Sequence, residues 1–120
     1  MKLSFEAKFV NCLDAIGGEI LQVSFDTLPP PMSEAERRTP HVLISRNFEF
    51  PDPATIEWHD GIASDGGAEI VEMLLARERV TARLNRDLEI DVTFRISDKK
   101  FATLSSYLKR MLGKRVAISV

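Results

Sequence analysis

The sequence predicts an α+β domain in which a mostly antiparallel sheet of six to eight strands packs against one C-terminal helix, at about residues 98–112. Several segments alternate apolar and polar residues with the period of two that is typical of half-buried strands. Proline and glycine clusters separate these segments. One late segment instead repeats apolar residues at helical spacing. The 120 residues suit a single domain, residues 1–120, with one core.

Four segments of the N-terminal half are predicted strands: residues 3–10, 19–26, 41–46 and 55–59. The first two flank Gly17-Gly18 and are expected to form an antiparallel pair. Residues 27–40 contain three consecutive prolines, which lack N–H donors and therefore predict an exposed connection. Residues 60–67 are rich in Gly, Asp and Ser and are predicted to form a loop.

Residues 68–84 allow a helix or a strand pair. Good helix formers are frequent here, but an apolar face that begins at Ile70 and Leu74 would continue through Arg77 and Glu78. A hairpin that turns near these two charged residues fits better. Its apolar positions would be Val71, Met73, Leu75, Val80, Ala82 and Leu84.

The C-terminal third gives clearer patterns. Residues 88–96 alternate strictly, which predicts a strand with one buried and one wet face. Residues 98–112 are a predicted helix, in which Asp98 or Ser97 caps the first turn and Gly113 ends the last. The helical apolar stripe consists of Phe101, Leu104, Leu108, Met111 and Leu112. Residues 116–120, with Val116, Ile118 and Val120 at alternate positions, predict a last strand.

Composition and motifs argue against several functions. The net charge of −2 lacks the basic excess that nucleic-acid binders use on phosphates. Phosphate-binding glycine loops and serine-hydrolase elbows are absent, and the spacing of His59, Asp60 and Asp65 matches no known metal loop. His41 and the His59-Asp60 pair are expected to be structural or surface groups. We therefore expect no catalysis, cofactor or metal.

The single cysteine, Cys12, lies among apolar residues and is expected to be a small core residue in a reducing compartment. No apolar run approaches the roughly 20 residues of a membrane span. The N-terminus carries Glu6 and Lys8 where a signal peptide needs an apolar stretch. These features predict a cytoplasmic protein without a membrane partner.

An acidic segment at residues 49–72 contains no Lys or Arg and has Trp58 near its middle. An aromatic anchor among acids is the composition of a protein-binding patch, which would attract a basic partner. The predicted partner-binding residues are Glu57, Trp58, His59, Asp60, Asp65, Glu69 and Glu72. The alternative is that Trp58 belongs to the core and the acids form a solvated face. Exposed sheet edges also allow a homodimer.

From His41 onward, the order of elements resembles the immunity protein 10 family of bacterial toxin–immunity systems. The resemblance consists of the strand 41–46, the acidic-aromatic strand 56–60, the glycine-containing stretch 66–74, the alternating strand 88–96 and the helix 101–112. It covers about two-thirds of the chain. The resemblance implies a cytoplasmic, non-catalytic protein that binds and neutralises a cognate protein toxin.

A second resemblance is to PilZ domains, which bind a cyclic dinucleotide. Paired arginines, Arg37-Arg38, precede by about 25 residues a segment in which Ser64 and Gly67 fit the D/N-x-S-x-x-G element. Ile62 stands where that element has Asp or Asn. The chain after Gly67 also looks too short for the remaining strands of such a domain.

Overall fold

A computed structural model describes residues 2–29 and 33–119, and within them it contains nine strands and one α-helix. The strands are β1 (Lys2–Ala7), β2 (Phe9–Ala15), β3 (Ile20–Asp26), β4 (His41–Asn47), β5 (Thr55–His59), β6 (Ser64–Ala76), β7 (Arg79–Leu84), β8 (Glu89–Phe94) and β9 (Val116–Ile118). The helix is α1 (Asp98–Leu112), and short 3₁₀ turns lie at Ile16–Gly18, Glu36–Arg38 and Gly113–Arg115. The predicted α+β class is confirmed, with more strands than the six to eight expected.

The sheet has two halves, which share its longest strand, β6. Sheet I consists of β1, β8, β7, the second part of β6 and β9. Sheet II consists of β2, β3, β4, β5 and the first part of β6. The pairs β1–β8 and β6–β9 are parallel, and the other pairs are antiparallel. The buried faces of both halves enclose one hydrophobic core.

The predicted pairing of residues 3–10 with 19–26 is wrong. β1 pairs with β8. The strand that pairs with β3 is β2, which the alternation of apolar residues did not predict. The chain changes from one sheet to the other at Lys8, whose N–H donates to the Asp26 carbonyl at 2.9 Å. The buried positions shift in phase there, so Phe9 is exposed while Val10 is buried.

The predicted hairpin at residues 68–84 is confirmed as β6 and β7. A register shift between Ile70 and Glu72 moves one residue out of phase, so Ile70 is buried and Val71 is exposed. The prediction that Val71 faces the core is therefore wrong. β6 also begins at Ser64, within the predicted loop, because Ser64 pairs with His59 of β5.

β8 follows its predicted alternation with one exception. Asp91 lies on the outward face but is only 6% exposed. Arg79 forms a two-point ion pair with its carboxylate, and the Lys2 Nζ lies 3.6 Å from Oδ2. Arg79 is also the largest cause that holds the pKa of Asp91 below its ordinary value. An exposed position was expected, and neighbouring cationic side chains cover it.

The helix matches its predicted bounds. The Ser97 hydroxyl accepts a hydrogen bond from the Lys100 N–H at 3.1 Å, so Ser97 rather than Asp98 is the cap. Gly113 is the C-cap residue and has a positive φ of 58°, but its ψ of −122° lies outside the left-handed helical region that was predicted. Leu104, Leu108 and Met111 are buried, and α1 packs against β2, β3 and β9.

The predicted last strand is confirmed at Val116–Ile118, and Val120 lies outside the described residues. The same holds for Pro30 and Pro31 of the predicted connection. Within the described part of the chain, no helix has the length and apolar character needed to cross a membrane.

Candidate partner-binding surface

Trp58 is a core residue. Its exposed fraction is 7%, and it packs in the same buried cluster as Ile56 and Val42. The cause is the alternation of β5, in which Ile56 and Trp58 point inward while Glu57 points outward. Of the two alternatives that the sequence left open, the structure therefore shows the core, and Trp58 offers no exposed anchor.

Three of the predicted acidic residues are neutralised by arginines from later in the chain. The Asp65 carboxylate lies 2.8 Å from Arg86 Nη1, and Glu72 Oε1 lies 3.1 Å from Arg83 Nε. Glu69 makes a longer ion pair of 3.9 Å with Arg115. The absence of Lys and Arg between residues 49 and 72 therefore does not create a surface of one sign.

The remaining predicted residues form or flank a turn. Asp60 Oδ1 accepts the N–H groups of Ile62 and Ala63 at 2.8 and 2.7 Å, and these bonds lower the pKa of Asp60. His59 Nδ1 accepts the Gly61 N–H at 2.9 Å. Glu57 is exposed on the outer face of β5. No group of three metal-ligating side chains occurs among the described residues.

The structure brings together two histidines that are far apart in the sequence, His41 and His59. His41 and His59 are cross-strand partners whose rings stack at a centroid distance of 5.8 Å, and Asp26 is the neighbour of His41 on β3. Burial raises the pKa of Asp26, and only the pairing register could have revealed this row. No side-chain hydrogen bond joins His59 to Ser64 within the described residues, so the row shows no nucleophile–base contact.

A surface that no sequence pattern predicted lies at one end of sheet II. We call it the apolar tip, and its members are exposed hydrophobic side chains: Leu13, Ile16, Phe48 and Phe50. Ile16 and Phe50 are 68% and 55% exposed. The turn after β2 and the segment after β4 meet here, because the Phe48 N–H donates to the Glu19 carbonyl at 2.7 Å.

Four exposed carboxylates accompany the apolar tip, and we call them the acidic rim: Asp14, Glu19, Glu49 and Asp52. None of them makes an ion pair within the described residues. Two arginines reach the same end. Arg46 donates to the Met111 carbonyl at 2.7 Å and stacks on Phe48, and Arg110 approaches Gly18. The carboxylates outnumber the cations, so this end is negative.

Ile16 has an unusual backbone. Its φ is 52°, in the left-handed region that a β-branched residue rarely adopts, and Gly17 and Gly18 follow with positive φ as well. A residue held there costs about 1–3 kcal/mol, and such outliers cluster at functional sites. The chain thus holds an apolar, β-branched side chain in solvent at a strained position.

A second arrangement concerns the paired arginines. The turn that holds Arg37 and Arg38 lies against the loop after β5, since a Cβ on Gly61 would lie 4.0 Å from the Arg38 carbonyl and 3.8 Å from the Pro40 ring. Both arginines are exposed. After Gly67 the chain forms most of β6 and all of β7, β8 and β9.

Cys12 is half-buried against the core, and burial raises its pKa to about 11. This agrees with the predicted structural role, because the reactive thiolate form is scarce at neutral pH.

Comparisons with models of known protein families, with curated proteins and with solved structures return no significant match. Any assignment of function therefore rests on the chain's own residues.

Proposed function

We propose that this chain is a non-catalytic, cytoplasmic binding protein of the immunity-protein kind, which captures a basic protein toxin. The observation that carries the proposal is Ile16, an exposed β-branched member of the apolar tip that is held in a strained conformation. Strain of this kind is retained where the side chain is needed in one position, and an exposed isoleucine contributes nothing to the core.

The composition of this end of sheet II supports a protein partner. Aromatic and aliphatic side chains with a charged rim are typical of interface hot spots, in which a few apolar anchors supply most of the binding energy. Unpaired carboxylates would attract a basic partner and accelerate encounter. The proposal moves the interface from the segment around Trp58 to the apolar tip and the acidic rim. Glu49 and Asp52 are the members that the predicted acidic segment already contained.

The first experiment uses the product of the gene directly upstream as the candidate toxin. The purified chain should form a stable complex with that protein and suppress its toxicity when both are produced in one cell. Phe50→Ser should lose protection. Ile62→Ser is the matched control, because Ile62 is also an exposed hydrophobic residue but lies on the loop after β5. Protection that persists in Phe50→Ser and fails in Ile62→Ser would refute the proposed surface.

A PilZ-like cyclic dinucleotide binder is the second candidate, and the contact between the Arg37-Arg38 turn and the Gly61 loop favours it. Two exposed arginines beside a glycine-containing loop could hold phosphates. Under this alternative, cyclic di-GMP should raise the Tm of the chain, and Arg37→Ala together with Arg38→Ala should abolish the shift. A Tm that cyclic di-GMP leaves unchanged would remove this candidate.

A further inference from the structure

The outer face of sheet I carries a groove of about 550 Å³. This volume falls within the roughly 300–1,000 Å³ of small-molecule sites. The floor of the groove is a row of cross-strand neighbours: Asp91, Thr81, Leu74 and Ala117. Longer charged side chains of the same strands stand on either side of this row.

One wall of the groove is electrically balanced. The outward side chains of neighbouring strands alternate in sign along it: Lys2, Glu89, Arg83 and Glu72. The opposite wall contains Arg79, whose charge is matched by Asp91 on the floor. Neither wall therefore favours an anionic ligand over a cationic one.

The end of the groove beside β9 is different. Lys114 is exposed, lines the groove and makes no ion pair within the described residues. Arg115 adjoins it and reaches Glu69 only at 3.9 Å. The unpaired acid Glu89 lies three strands away, roughly 14 Å at the usual strand spacing. That separation exceeds the screening length of about 8 Å at physiological salt. The nearer acid, Glu72, is already paired with Arg83, so Lys114 and Arg115 leave the β9 end locally positive.

The floor next to this positive end is apolar. Leu74 is 48% exposed, although its neighbours on β6, Met73 and Leu75, are buried. Ala117 pairs with Leu74 and adds no bulk. A flat apolar group could lie on these two residues and bring an acidic substituent to Lys114.

We infer that the sheet I groove binds a small organic anion, with an apolar ring system on Leu74 and Ala117 and a carboxylate, phosphate or sulfonate at Lys114. This site is separate from the apolar tip, which lies on sheet II, and it stands or falls independently of the proposed toxin partner. Charge complementarity at Lys114 selects an anion over a cation or a neutral ligand.

The test uses 8-anilinonaphthalene-1-sulfonate, a probe with an aromatic body and one sulfonate. Calorimetric titration of the folded chain should show one saturable site. Lys114→Glu should weaken binding about tenfold, because an attraction becomes a repulsion. Thr81→Trp should abolish binding by filling the floor with an indole ring. Lys99→Glu is the matched control, since Lys99 is an exposed lysine of α1 outside the groove.

Each variant should show the same cooperative urea unfolding as the unmodified chain, which excludes binding of the probe to unfolded protein. Equal affinity in Lys114→Glu, Lys99→Glu and the unmodified chain would overturn the inference, because binding would not depend on the positive end. Absence of saturable binding would also overturn it. So would sedimentation as a dimer that Thr81→Trp dissociates, since a second copy would then occupy this face.

Discussion

Replacement of Trp58 by alanine tests the core position of this residue most sharply. A buried aromatic side chain removes roughly 150–250 Å² from water, and at about 25 cal/mol per Å² this corresponds to roughly 4–6 kcal/mol. Trp58 is 7% exposed, so nearly all of that burial applies. Partial collapse of the cavity reduces the loss, and we expect the free energy of unfolding to fall by about 3–5 kcal/mol.

The assay is urea unfolding followed by far-UV circular dichroism, because Trp58 is the only tryptophan and fluorescence would vanish with it. Trp58→Phe should lose less, since most of the apolar volume remains. Glu57→Ala is the neighbouring control on the exposed face and should change stability by less than about 0.5 kcal/mol. A loss below about 1 kcal/mol in Trp58→Ala would show that the side chain is solvent-facing and would return Trp58 to the list of interface residues.

Three further results are expected. In urea unfolding, Val71→Asn should change stability by less than about 0.5 kcal/mol while Ile70→Asn costs more than about 3 kcal/mol; the reverse order would refute the bulge in β6. Burial raises the pKa of Asp26, so its ionised form destabilises the fold above that raised pKa but not below the ordinary value. Asp26→Asn should therefore have a higher Tm than the unmodified chain at pH 7 and the same Tm near pH 3, and a lower Tm at pH 7 would contradict this. Cys12, with a pKa of about 11 against an ordinary 9.0, should react with a disulfide reagent about 100-fold more slowly in the native state than in urea, and equal rates would show an open thiol.

Local patterns predicted the elements well where one residue period dominated. The strict alternation of residues 88–96, and the stripe and cap of α1, needed no knowledge of the partner strands. The bounds of β5 were also predicted correctly. The hairpin at residues 68–84 was predicted by exclusion, since charged residues interrupt the helical face at Arg77 and Glu78.

Errors arose where pairing overrides periodicity. At the switch of sheets the Lys8 N–H donates to the Asp26 carbonyl, and no pattern within residues 3–10 indicates this contact. The same limit applies to charge. Residues 49–72 contain acidic residues but no Lys or Arg. In the folded chain, Arg83, Arg86 and Arg115 form ion pairs with three of these acids. The apolar tip was equally hidden, because it joins two turns that are distant in sequence.

Substitution of Ile16 tests the central claim most directly, because it separates stability from binding. Ile16→Asn places a residue that tolerates positive φ at a strained position, so the Tm should stay constant or rise. Affinity for the upstream gene product, measured by calorimetry, should fall at least about tenfold, which corresponds to 1.4 kcal/mol. Unchanged affinity in this variant, or a lowered Tm, would contradict the assignment of Ile16 as a strained binding residue and with it the proposed surface.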